Sequence, residues 1–221
     1  MEKKSIKKNY IYNLCYQILT LITPLITTPY VSRILGADGV GISSYTNAVT
    51  TYFILIATLG TTDYAQREIA YRQEYSKERT KVFWEIVLLR CITGLVSIIL
   101  FAFFIFSSEY RVIFLIQAVN IFAVIFDISW FFQGMEEFAV TSIRNIAVKI
   151  LNILFIFVFV REKNDLMLYI ASIAFSTLIG NILLWGKISK YLIPVSIKDI
   201  HPFSNLIGVI QLFIPTIAIQ V

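Results

Sequence analysis

Four charged side chains, Glu85, Arg90, Asp127 and Lys149, stand inside stretches otherwise apolar enough to cross a bilayer, and Asp63 stands at the edge of another. A charge near the bilayer centre costs at least about 2.5–3.5 kcal/mol on insertion scales, so such residues face a polar cavity or one another. The chemistry open to them is electrostatic: cations that dock an anion, and carboxylates that balance those cations or gate access to them. At about 1.5 Å per residue, Arg90 counts to a depth of roughly 12 Å and Asp127 to roughly 8 Å, so the two can pair. Glu85 and Arg90 are turned about 140° apart on one helix, which argues against a direct bond between them. All five residues count to the inner half of the membrane, which predicts a polar vestibule open to the inside. Its outer counterpart is Thr20, Thr23, Thr27 and Thr28 with Ser172, Ser176 and Asn181, unless these merely bond their own or a neighbouring helix.

No catalytic constellation accompanies them. The chain has no GxxxxGK[ST] phosphate loop, no HExxH and no GxSxG. GADGVG (36–41) falls between two apolar stretches and predicts a tight outer turn. Glu136 and Glu137 are adjacent, and adjacent residues point in different directions on any regular element, so a solvated turn is the better reading than an acid pair. His201 is the single histidine, and Cys15 and Cys91 have neither metal-ligand nor disulfide-framework spacing. No metal, no cofactor and no enzymatic activity are expected.

The elements that must position these charges are membrane helices. With 57% hydrophobic and 15% charged residues and a mean hydropathy of +0.75, the chain is far more apolar than a soluble domain. A helix needs about 20 apolar residues to cross the hydrocarbon core. Spans are predicted at 10–32, 42–62, 82–106, 112–132, 140–160 and 167–185, with a seventh starting at Asn205 and running to the last residue, Val221. Backbone groups cannot go unpaired in lipid, and these lengths exclude barrel strands, so the fold class is all-α, a polytopic transmembrane helical bundle. Pro24 and Pro29 in the first span and Pro215 in the seventh remove amide donors and predict kinks or hinges. Broken helices in corresponding positions of two halves point to a transporter with internal repeats.

Charge sets the orientation. Lys3, Lys4, Lys7, Lys8, Arg67, Arg72, Lys77, Arg79, Lys81, Arg144, Lys187, Lys190 and Lys198 fall on one side, against Arg33, Arg111, Arg161 and Lys163 on the other. The richer set marks the cytoplasm, so the N-terminus is expected inside. Dealt out among short loops, the net charge of +5 is a topology signal and makes no nucleic-acid surface. The first span resembles a secretory signal but is too long and lacks a cleavage site, so a retained helix is expected. The polar stretch YAQREIAYRQEYSKERTK (64–81) places Tyr64, Tyr71 and Tyr75 on one helical face and reads as an extension of the second helix along the interface, or as a solvated linker helix.

Four segments in order carry a family resemblance: PLITTPYVSRILGADGVG (24–41), LGTTDYAQREIA (59–70), WFFQGMEEF (130–138) and QLFIPTIAIQV (211–221). They resemble polysaccharide flippases of bacterial O-antigen and capsule clusters, in the multidrug/oligosaccharidyl-lipid/polysaccharide exporter superfamily. The resemblance implies two six-helix lobes around a cavity that opens alternately to each side, in the bacterial cytoplasmic membrane. Residues 1–200 would be the first lobe and 201–221 the start of the second, in a protein about twice this length. It implies a polyprenyl-pyrophosphate-linked oligosaccharide as substrate, with membrane lipids, a polysaccharide polymerase and chain-length proteins as partners. Arg90 and Lys149 would then attract the pyrophosphate, with Asp127 and Glu85 balancing them or gating. Arg33 would meet the head group at the outer mouth or anchor the helix at the interface. A cation-coupled multidrug antiporter of the same superfamily is the alternative within transport. A membrane glycan polymerase or acyltransferase is the alternative outside it, disfavoured by short outer loops.

Overall fold

The computed structural model describes residues 6–220 of the chain, with side chains for 11–213, and every regular element in it is helical. Helix α1 is Ile6–Thr58, α2 Thr61–Tyr71, α3 Ser76–Phe106, α4 Arg111–Ile125, α5 Ser129–Gly134, α6 Phe138–Phe159, α7 Leu166–Ile188 and α8 Leu206–Gln220. Among the described residues five helical stretches are long and apolar enough to cross a bilayer, which makes this a multi-pass membrane protein. The first of them, Ile11–Tyr71, has 61 residues, about 90 Å of helix against a hydrocarbon core of about 30 Å.

The turn expected at GADGVG is a break at one residue, where two helices meet. The chain stays helical through Arg33 and leaves the helical region only at Gly36 (φ 72°, ψ 178°), resuming at the next residue. That backbone conformation is accessible essentially to glycine alone. Pro24 and Pro29 lie within the helix without breaking it. The side chain of Pro215, on α8, lies outside the described residues, as do those of Lys7 and Lys8 and the whole of Lys3 and Lys4. The third, fifth and sixth expected spans coincide with α3, α6 and α7 to within a few residues at most ends.

Two expectations are corrected. The fourth span, Arg111–Gly134, carries an unexpected break: α4 ends at Ile125, Asp127 and Ile128 are non-helical, and α5 resumes at Ser129. The polar stretch 64–81 is not one interfacial helix either. α2 begins after a left-handed Gly60 (φ 71°), ends at Tyr71, and is joined to α3 by a turn. Tyr64 is buried, whereas Tyr71 and Tyr75 are exposed, so the three rings share no environment. Ala65 and Ile69 face inward with Tyr64, and α2 packs on α5, α3 and α8.

Lipid is as apolar as leucine, so helices in it associate through close packing and interhelical hydrogen bonds. Both are present. Ser97 Oγ donates to the Phe53 carbonyl at 2.6 Å and Thr93 Oγ1 to the Ala57 carbonyl at 2.7 Å, joining α3 to α1. Asn181 Nδ2 donates to the Ala123 carbonyl at 2.7 Å and Trp185 Nε1 to the Phe126 carbonyl at 2.8 Å, joining α7 to α4. The largest buried cluster gathers Phe83, Ile86, Leu89, Trp130, Phe131 and Phe132 with Ile69 and Val209, so the WFFQG segment is a packing plug. At the other end of the bundle Val31, Leu35, Ile156 and Val160 close α1 against α6, and Tyr30 donates to the otherwise free Val160 carbonyl at 2.8 Å.

Candidate functional site: a cationic cavity between three helices

The inward stripe of α6 carries Arg144, Asn145, Val148, Lys149 and Asn152, a helical spacing that places them along one wall. They line a cavity of about 340 Å³ together with Tyr16, Thr23 and Thr27 of α1 and Tyr169, Ser176 and Thr177 of α7. Lys149 lies halfway along α6. Its Nζ donates to Thr20 Oγ1 at 3.1 Å and sits 5.6 Å from the centre of the Tyr16 ring, a cation–π distance. Arg144 Nη1 donates to Asn181 Oδ1 at 3.0 Å. Two buried polar atoms in this wall, Arg144 Nε and Asn152 Oδ1, have no partner among the described residues. A buried donor and acceptor left open in this way cost free energy that a bound polar group would recover.

The wall holds two cations, and none of the described residues lining it is acidic. The hydroxyls are committed in part: Thr20, Thr23 and Thr27 each donate to the carbonyl four residues back, and Ser176 to that of Ile173. Their lone pairs and the amides of Asn145 and Asn152 remain the neutral complement of the cavity.

The other expected site residues are elsewhere. Arg90 is 1% exposed and is not among the residues lining the cationic cavity. Its Nε and Nη2 donate to Thr61 Oγ1 at 3.0 and 2.8 Å, Nη2 also to Thr62 Oγ1 at 2.7 Å, and Nη1 to the Asp127 backbone carbonyl at 2.7 Å. One guanidinium thus bridges the start of α2 and the break after α4. Asp127 meets it through its carbonyl, while its carboxylate accepts the Ser129 amide at 2.9 Å as α5 begins. Glu85 is 3% exposed and accepts the His201 amide at 3.1 Å and Asn205 Nδ2 at 2.8 Å, while Asn205 Oδ1 accepts from Tyr64 at 2.9 Å. It binds the segment before α8 to α3, far from a vestibule role. Arg33 is helical and exposed. Burial of a charge predicted these three residues to be special but did not say whether cavity or framework satisfied them.

Arg144 is the site residue that its count among the inner-side topology charges concealed. The signal that finds it is the polar stripe Arg144, Asn145, Lys149 and Asn152 on an otherwise apolar helix. Nearby, outside the spans, burial and then the Glu137 carboxylate raise the Tyr191 phenol above its ordinary value. The Tyr191 carbonyl accepts from Arg79 at 2.7 Å, closing the α7 end onto the start of α3.

A protein of Escherichia coli (strain K12) named "Putative O-antigen transporter" is 27% identical over 169 residues, which is 74% of this chain and 40% of that relative. The chain therefore matches less than half of that relative's length. No solved structure matches. Residues 6–221 match the family described as "Polysaccharide biosynthesis protein", and with nearly the whole sequence covered the chain belongs to that family.

Proposed function

We propose that the chain forms the first lobe of a flippase that carries polyprenyl-pyrophosphate-linked oligosaccharide repeat units across the bacterial cytoplasmic membrane by alternating access. The observation that carries this reading is the sign of the cavity: Arg144 and Lys149 line it, and none of the described residues lining it is acidic. Cations held in a water-poor wall attract a pyrophosphate and replace part of its hydration through charge-assisted hydrogen bonds. An organic cation, the cargo of a multidrug antiporter, would be repelled there. The relative's name supports transport of O-antigen, and the family places the chain in polysaccharide biosynthesis.

In this reading the first helical stretch crosses twice, reversing at Gly36, which makes six spans with the N-terminus inside. Residues 1–200 are the lobe and 201–221 begin a second. Arg90, Asp127 and Glu85 hold the frame, Arg33 meets the head group or the interface at the outer mouth, and Pro24, Pro29 and Pro215 supply flexible points. A polymerase and chain-length proteins receive the product.

The test is export in cells whose own gene is replaced by a Lys149→Glu or Arg144→Glu form. Accumulation of polyprenyl-pyrophosphate-linked oligosaccharide, with the variant protein present in the membrane at normal level, is the expected outcome. Unchanged glycan export with raised drug sensitivity would favour the antiporter instead.

A further inference from the structure

The break after α4 reaches the cationic cavity through one side-chain amide. In an unbroken helix the Asp127 amide would close on the Ala123 carbonyl, but here it donates to the Val124 carbonyl at 3.1 Å. The Ala123 carbonyl is thereby released, and Asn181 Nδ2 of α7 donates to it at 2.7 Å. A carbonyl only accepts, so this contact turns the Asn181 NH2 toward α4 and leaves Oδ1 as the end that meets Arg144. Arg144 Nη1 donates to that oxygen at 3.0 Å, the one hydrogen bond its side chain makes among the described residues. Asn181 is 6% exposed, so water is a poor substitute for either partner.

The residue before Asn181 leaves room for the same guanidinium. A Cβ built on Gly180 would stand 3.2 Å from Arg144 Nη1, 3.4 Å from its Cδ and 3.1 Å from Val148 Cγ2, so Arg144 or Val148 would have to move. Gly180 lies inside helix α7, and the site therefore uses its missing side chain and not its backbone freedom. Lys149 is supported separately, by Thr20 and Tyr16 of α1.

We propose that Asn181 and Gly180 are positioning residues for Arg144: Asn181 fixes the guanidinium from the α4 break, and Gly180 vacates the space in which it lies, so that an anionic head meets a cation already oriented. The inference rests on the flippase reading, in which Arg144 contacts the pyrophosphate. Neither residue lines the cavity, so each acts through Arg144 and not on the head group. An arginine left unheld would give up rotamer freedom on binding, at a cost in affinity that a fixed one avoids.

Binding of farnesyl pyrophosphate to the purified protein in detergent, read through double-mutant cycles, tests this. Asn181→Ala should weaken binding about tenfold, as loss of a hydrogen bond to a charged group does. The same factor should appear in a Lys149→Gln background and vanish in an Arg144→Gln background, where the side chain it serves is gone. Gly180→Ala keeps both Asn181 contacts and should follow the same pattern with a smaller loss; it carries the test should Asn181→Ala fail to fold. An equal loss with and without Arg144 overturns the proposal, because the effect would then be a general loosening of α7 against α4. Wild-type binding by a folded Asn181→Ala protein overturns it too, and both of these results leave the head site standing. Wild-type binding by Arg144→Gln itself removes Arg144 from the head site and the positioning role with it.

Discussion

Arg90 and Lys149 are both cations inside membrane helices, yet the structure gives them opposite duties. Arg90 spends four donor contacts on Thr61, Thr62 and the Asp127 carbonyl, and it is buried. Lys149 makes one hydrogen bond, to Thr20, and faces a cavity. Their substitutions should therefore separate stability from function. Arg90→Met strands two threonine hydroxyls and a carbonyl, and it should lose at least about 1–3 kcal/mol of stability, the cost of leaving one such buried group unsatisfied. Arg90→Lys should recover little, because an ammonium cannot reproduce the planar fork that reaches both helix breaks. Lys149→Gln should change stability by no more than about 0.5 kcal/mol while impairing pyrophosphate binding. Thermal unfolding in detergent, set beside ligand binding, reads both; a large stability loss in Lys149→Gln would contradict this division.

Helix breaks, more than helices, shape the elements. At Gly36 the φ and ψ values admit glycine alone, but the space beside it is open, the nearest atom to a built Cβ being Lys163 Cε at 3.9 Å. Gly36→Ala should therefore cost the strain alone, about 1–3 kcal/mol. Gly41, five residues on and helical, has nothing within 4 Å of a built Cβ, so Gly41→Ala should be neutral or stabilising by up to about 1 kcal/mol. Unfolding midpoints of the two variants check the contrast, and equal effects would mean that Gly36 is not the reversal point. The break after α4 differs in kind. It is held by Asp127 and Arg90 and lets Trp130, Phe131 and Phe132 pack beneath α2, where Gln73 Nε2 donates to the Gly134 carbonyl at 2.8 Å.

Across the whole molecule, Glu85 joins the first bundle to the segment that begins α8, and Gly60 and Gly208 lie where α8 comes close to the α1–α2 break and to Tyr64. Glu85→Ala should release this segment and speed proteolytic nicking across residues 193–201 about tenfold, since hydrogen bonds to a charged acceptor contribute about 1.5–3 kcal/mol. An unchanged cleavage rate would show that packing alone holds α8 in place. The sequence by itself determined the membrane class, the helical fold, most helix ends and the family resemblance. Each follows from local quantities: apolar length against bilayer thickness, backbone groups that must pair within a segment, and contiguous motifs. Lys149 stood out in the sequence for the same reason, a charge that lipid cannot solvate, and the structure puts it on the wall of the cavity between α1, α6 and α7. The tertiary structure alone decided that Arg90 is satisfied by the Thr61 and Thr62 hydroxyls and the Asp127 carbonyl and Glu85 by the His201 amide and the Asn205 side chain, that α4 breaks at Asp127, and that Arg144 joins Lys149 on one wall. Which partner answers a buried charge depends on contacts between residues far apart in the chain, and no local periodicity encodes them.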